Sequence, residues 1–130
     1  RRYTKRKHPR QVLYRLHKVI KAEIVFLVEG ERDVETLEDY GFIATTNAGG
    51  AKAEWLPSFT DVLRGREVIL IPDSDAAGKR RARTIAEALL GHCKLRWLPL
   101  PADTKDITEW FESGRSEVEL IYMLKEAGTQ

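Results

Sequence analysis

The stretch Val68-Ile69-Leu70-Ile71-Pro72-Asp73-Ser74-Asp75-Ala76-Ala77-Gly78 decides the fold. Four apolar residues, three of them β-branched, read as a strand buried on both faces. Pro72 has no N–H for a ladder bond, so pairing should stop near it. Asp73 and Asp75 follow at the carboxyl end, and a helical pattern opens behind Gly78. Ligands of open α/β sheets bind in the crevice outside those strand ends. Two carboxylates held there repel each other, and a hard cation such as Mg²⁺ relieves the repulsion. The same residues equally suit a solvated Asp-rich turn with a helix N-cap.

Towards the N-terminus, Glu23-Ile24-Val25-Phe26-Leu27-Val28 is a second continuous apolar run that reads as a buried parallel strand, ending in Glu29-Gly30. Asp33 is placed to cap a helix with Val34, Leu37 and Tyr40 at helical spacing, stopped by Gly41. Phe42 to Thr46 is a third strand, and Asn47-Ala48-Gly49-Gly50 is a turn. Lys52 to Leu56 has a helical composition, and a short helix from Pro57 or Ser58 to Leu63 follows. At the front, Gln11 to Leu16 reads as a short strand or an extended approach, and His17 to Ala22 as an ambiguous stretch or short helix. Towards the C-terminus, Gly78 to Leu90 places Ala82, Ile85, Ala86, Leu89 and Leu90 on one helical face. Cys93 to Leu98 alternates like an edge strand. Asp106 with Glu109 and Ser116 with Glu119 have capping-box spacing for two final helices. Strands alternating with helices at short intervals predict an α/β domain with a mainly parallel sheet of four or so strands.

A chain of 130 residues suits one domain with its own core. Its 42% hydrophobic and 32% charged residues describe a globular chain, and no apolar run reaches the roughly 20 residues of a membrane span. The basic opening has no apolar stretch behind it, unlike a signal peptide. Cys93, the single cysteine, has no partner for an internal disulfide or a Cys-based zinc site, as expected of a cytoplasmic protein. The opening on Arg1 reads as a fragment of a larger protein. Net charge is +2, unevenly spread. Arg1, Arg2, Lys5, Arg6, Lys7 and Arg10 form a basic arm, and without them 16 basic residues face 20 acidic ones. The arm is a candidate phosphate contact or a solvated tail. The expected organisation is a basic arm or remnant of a preceding domain over 1–12, and a domain with a C-terminal helix over 13–130.

Glu29, Asp73 and Asp75 thus stand at the carboxyl ends of two buried strands, with Asp33 one helical turn beyond Glu29. Oxygen ligands so placed suit Mg²⁺ clamping phosphate groups. His8, His17 and His92 are scattered, which disfavours a transition-metal site. No Walker A sequence is present, nor a G-x-G-x-x-G after a strand. Asn47, Gly49 and Gly50 offer backbone N–H groups to a phosphate, or make a simple turn. Lys79, Arg80, Arg81 and Arg83 crowd a helix N-terminus against its dipole, which suits facing phosphates or a solvated face. Trp55, Trp97 and Trp110 lack the spacing of a stacking platform and read as core or rim.

Three pieces in order resemble the Toprim domain, the catalytic fold of topoisomerases, bacterial-type primases and certain nucleases. Val28-Glu29-Gly30-Glu31-Arg32-Asp33 is similar to its E-G-x-x-D stretch. Asp73-Ser74-Asp75-Ala76-Ala77-Gly78 is similar to its D-x-D-x-A-G stretch. Leu100-Pro101 through Lys105-Asp106, then Trp110 to Gly114, resembles a closing piece particular to primases. Tyr14-Arg15-Leu16, Thr45 to Gly50 and Pro72-Asp73 narrow the resemblance to phage and mobile-element DNA primases or primase-helicases.

The resemblance implies a Rossmann-like three-layer α/β/α Toprim fold and nucleotidyl transfer for RNA primer synthesis in DNA replication. It implies a divalent Mg²⁺ or Mn²⁺ held by Glu29, Asp33, Asp73, Asp75 and Asp106, with Glu29, Asp73 and Asp75 as the catalytic acids. Lys79, Arg80, Arg81 and Lys105 are the implied phosphate and nucleic-acid contacts. The implied partners are a DNA template, nucleoside triphosphates and further domains, a zinc module or a helicase, with no membrane. Primases often carry a second acid two residues beyond the position of Asp106, where this chain has Thr108. The alternatives are a Toprim nuclease, a non-catalytic nucleic-acid- or protein-binding Toprim module, and a receiver-type signalling domain built on Glu29, Asp73 and Lys105.

Overall fold

A computed structural model of the chain describes residues 12–47 and 54–127. The basic arm over 1–10, and Gly49 and Gly50, lie outside the described residues. Four strands, β1 (Ile24–Leu27), β2 (Ala44–Thr45), β3 (Glu67–Leu70) and β4 (Lys94–Trp97), form one sheet in the order β2-β1-β3-β4. Every pairing is parallel, with Phe26 opposite Ala44, Leu27 opposite Leu70 and Leu70 opposite Trp97. Among the described residues, α1 (Leu16–Val19) precedes the sheet, α2 (Glu31–Asp39), α3 (Pro57–Leu63) and α4 (Ala76–Leu89) lie between successive strands, and α5 (Ile107–Glu112) and α6 (Glu117–Glu126) follow β4.

Alternate residues of the apolar strands feed two cores, which explains why the strands read as continuous apolar runs. Phe26, Val28, Ile69 and Ile71 pack with Val34 and Leu37 of α2, Ile107, Trp110 and Phe111 of α5, and Leu120 of α6. Val25, Leu27, Val68, Leu70 and Leu95 pack with Phe59 and Leu63 of α3 and Ala82 and Leu89 of α4. The result is the three-layer Toprim-like α/β/α fold expected from the sequence.

The connection from β1 leads to one side of the sheet, and the connection from β2 crosses back over β1 to β3. The direction of winding therefore reverses between β1 and β3, and that gap is where an open α/β sheet offers a crevice. Glu29 and Asp73 stand just beyond those two strand ends.

Several local details differ from the sequence reading. Gly30, not Asp33, is the N-cap of α2, and Asp33 lies inside the first turn, buried at 6% exposure. An acid suits either place, because both positions face the positive end of the helix. The stretch before α1 is not a strand. The Tyr14 N–H donates to the Thr46 carbonyl (2.9 Å), and Arg15 then turns through a left-handed conformation (φ 60°) into α1. Its guanidinium is held by Glu38 at 2.8 Å. Residues 54–56 are not helical, and the rest of that expected segment lies outside the described residues. The boundaries of β3 and α4 move by one or two residues, and Asp75 becomes the N-cap of α4. Trp110 is core at 1% exposure, while Trp55 and Trp97 are half-buried.

Candidate phosphate and metal site

Pro72 ends the β1–β3 ladder. The last bond runs from the Ile71 N–H to the Leu27 carbonyl at 3.0 Å. The chain then turns, and the Ser74 N–H donates to the Lys105 carbonyl (2.8 Å), tying this loop to the one before α5. Asp75 caps α4, its Oδ1 accepting from the Gly78 N–H at 2.6 Å. A Cβ on Gly78 would lie 2.7 Å from the Asp73 Cβ and 2.9 Å from the Asp73 carbonyl oxygen. Glycine is therefore required for α4 to start directly over the aspartate loop.

Asp73 is half-buried, and no side chain or N–H among the described residues hydrogen-bonds its carboxylate. Burial first, then the charges of Asp33, Asp106 and Asp75, push its carboxyl up to about 7, and Lys105 pulls the other way. Asp33 is also raised, chiefly by burial, with the Thr108 hydroxyl opposing. The Thr108 hydroxyl donates to Asp33 Oδ1 at 2.6 Å, and the Thr108 N–H donates to the same oxygen at 3.3 Å. Thr36 Oγ1 lies 2.9 Å from the Thr108 hydroxyl, completing a buried chain between α2 and α5. Asp106 caps α5 through the Glu109 N–H at 2.8 Å. The Glu109 carboxylate accepts from the Lys105 N–H rather than from Asp106, so the capping box expected there is only half formed. Ser116 and Glu119 form the complete box on α6.

Glu29 stands apart from this group. The charges that raise Asp73 most are those of Asp33, Asp106 and Asp75, whereas the Glu29 carboxylate is ion-paired with Arg81 of α4. The pair borders a small hollow lined by Val28, Asn47, Ile71, Pro72 and Gly78. The Thr46 hydroxyl donates to the Glu29 carbonyl at 2.9 Å and steadies the end of β1. Lys79, Arg80 and Lys105 are exposed around the same end of the sheet. The structure thus gathers Asp33, Asp73, Asp75 and Asp106 into one electrostatic group and sets Glu29 against Arg81.

The all-oxygen donor set and the unrelieved negative charge at Asp73 fit a hard divalent cation. As the side chains stand, no three His, Cys, Asp or Glu among the described residues form a metal-binding group. Two partners were not visible in the sequence. Thr108 registered there only as a missing acid, and Arg81 only as one of the cations crowding the start of its helix.

No protein-family model matches the chain, and no curated protein matches it. Solved structures do. A structure of the DnaG catalytic core matches with a TM-score of 0.72 at 23% identity, over 90% of this chain and 40% of the other. The DnaG primase catalytic domain bound to ssDNA matches with a TM-score of 0.71 at 23% identity, over 90% and 40%. The Aquifex aeolicus primase, comprising zinc-binding and RNA polymerase domains, matches with a TM-score of 0.72 at 18% identity, over 100% and 36%. The likeness is one of fold, and this chain spans 36–40% of the length of these proteins.

Proposed function

We propose that this chain is the metal-binding catalytic domain of a DNA primase or primase-helicase of the phage or mobile-element kind, working in the cytoplasm. Its reaction is nucleotidyl transfer in RNA primer synthesis. The observation that carries this reading is Asp73, a carboxyl at the reversal point of the sheet pushed up to about 7 by burial and three neighbouring acids. Asp73, Asp75 and Asp106 would hold a divalent Mg²⁺ or Mn²⁺, with Asp33 behind them. When bound, the ion supplies a Lewis acid for phosphate oxygens. The charge of Lys105 acts on Asp73, and the exposed Lys79 and Arg80 offer charge to a polyphosphate or a template backbone. Thr108 holds Asp33 in place between α2 and α5. The DNA template, nucleoside triphosphates and further domains of the same chain, a zinc module or a helicase, belong to this reading. One structural neighbour was solved with single-stranded DNA, and another includes a zinc-binding domain.

The internal partners of Glu29 and Asp33 favour a second reading, a non-catalytic Toprim module. Thermal melts with chelator and with Mn²⁺ separate the two. Under the first reading Mn²⁺ stabilises the parent by about 2.7 kcal/mol at roughly 100 times Kd, and the Asp73→Asn and Asp75→Asn variants lose most of that. Equal shifts in parent and variants, or none in the parent, leave the non-catalytic module. Nucleotide incorporation against strand nicking, assayed in the full-length protein, then separates primase from Toprim nuclease.

A further inference from the structure

The Glu29 carboxylate, an acid that the sequence resemblance assigns to a cation, is ion-paired with Arg81. Gly78 brings α4 down over the aspartate loop, and Ala82, one turn further on, is buried in the core. Arg81 lies beside Ala82 and reaches across the hollow to the end of β1. The pair is shielded, with side-chain exposures of 15% for Glu29 and 34% for Arg81. The neighbouring cations Lys79, Arg80 and Arg83 are exposed instead. Ion pairs in such shelter are less screened by salt than surface pairs. A guanidinium also matches both carboxylate and phosphate geometry, so it can exchange one partner for the other.

We propose that Arg81 is an exchangeable internal counter-ion that gates Glu29. Without ligand it holds the Glu29 carboxylate. A ligand bearing phosphates takes Arg81, and Glu29 is freed towards the divalent cation. This rests on the metal-site reading above and assigns its regulation to one residue. It also makes the phosphate ligand and the cation bind cooperatively, because each removes the competitor of the other.

Two titrations test it on the intact chain. The first uses Mn²⁺ alone, followed by the resonance signal of the free ion. Arg81→Gln should tighten Mn²⁺ by up to about fivefold, the upper range of an ion pair near the surface. Lys79→Gln, which removes the same charge without freeing Glu29, should do less, and Arg81→Lys should fall between parent and Arg81→Gln. Adding Glu29→Gln to Arg81→Gln should cancel the gain. The second titration uses inorganic pyrophosphate in chelator, with no metal present. There Glu29→Gln should tighten pyrophosphate severalfold, and Arg81→Gln in the same background should abolish the gain. If Mn²⁺ binds the parent, Arg81→Gln does no more than Lys79→Gln, and Glu29→Gln leaves pyrophosphate unchanged, the gate is overturned and the metal site stands. If Mn²⁺ binds none of the proteins, the metal site falls, and the gate on metal entry falls with it.

Discussion

Asp73 is a carboxyl that the folded chain protonates far more readily than the unfolded chain does, with its midpoint raised from 3.8 to about 7. A raised acid gives no net effect while both states hold the proton. It turns against the fold as pH climbs from 3.8 through about 7, and its full cost remains above that. In chelator, the melting temperature of the parent should therefore drop relative to Asp73→Asn across this window. The variant should be the more stable protein at about pH 8. Parallel curves for the two proteins would mean that the fold does not strain this charge. Asp33 is also raised, yet the Thr108 hydroxyl answers its carboxylate at 2.6 Å. Thr108→Val keeps the shape and removes that donor from a buried acid, which should cost about 1–3 kcal/mol in a denaturant titration near neutral pH. The loss should shrink as Asp33 becomes protonated at lower pH. Thr108→Ser, which retains the hydroxyl, should lose much less. The sequence shows where Thr108 stands, but its partner lies 75 residues away and only the packing of α5 on α2 brings them together.

The elements were legible in proportion to their own chemistry. Runs such as Ile24 to Val28 and Val68 to Ile71 announced central strands because both faces are buried, and no competing pattern is that apolar. Ser116 and Glu119 announced α6 because a capping box is a local arrangement. The cap of α2 was misplaced for the converse reason. Gly30 carries no side-chain signal, and Asp33 satisfies the helix dipole from within the first turn. That β1 and β3 are parallel neighbours was legible, because acids at both strand ends have to converge to share a cation, and the two strands do pair. The places of β2 and β4 in the order β2-β1-β3-β4 were not, and neither was the ion pair that holds Glu29 to Arg81. Asp106 shows how one residue serves two levels, as the cap of α5 and as one of the charges acting on Asp73. Asn caps as well as Asp, so Asp106→Asn should leave stability nearly unchanged, whereas Asp106→Ala should cost about 1 kcal/mol. Both substitutions should lower the midpoint of Asp73, because both remove a neighbouring charge. A proton-resonance titration of the Asp73 carboxyl alongside thermal melts separates the two roles. An unmoved midpoint in both variants would remove Asp106 from the group.

Across the whole molecule, charge is divided by position. The described domain gathers Glu29, Asp33, Asp73, Asp75 and Asp106 at the carboxyl end of the sheet, with Lys79, Arg80 and Lys105 exposed around them, and six further cations lie in the first ten residues of the sequence. If the domain handles a single-stranded template, the acidic centre cannot supply affinity for its backbone. That has to come from these cations, and therefore from release of counter-ions. For single strands the logarithm of affinity falls with the logarithm of salt at about 0.7 per phosphate neutralised. Replacing Arg1, Arg2, Lys5 and Arg6 by Gln should flatten that slope by as much as about 3 if all four touch phosphate. Replacing Lys79 and Arg80 should flatten it by about 1.4 at most. Neither set should change preference among sequences, because phosphate contacts carry no base information. Fluorescence anisotropy of a labelled oligonucleotide over a salt series, using the intact chain, measures all of this. A slope unchanged by the first set would make the arm a solvated tail. A slope unchanged by the second would place the strand away from α4, and with it away from Asp73.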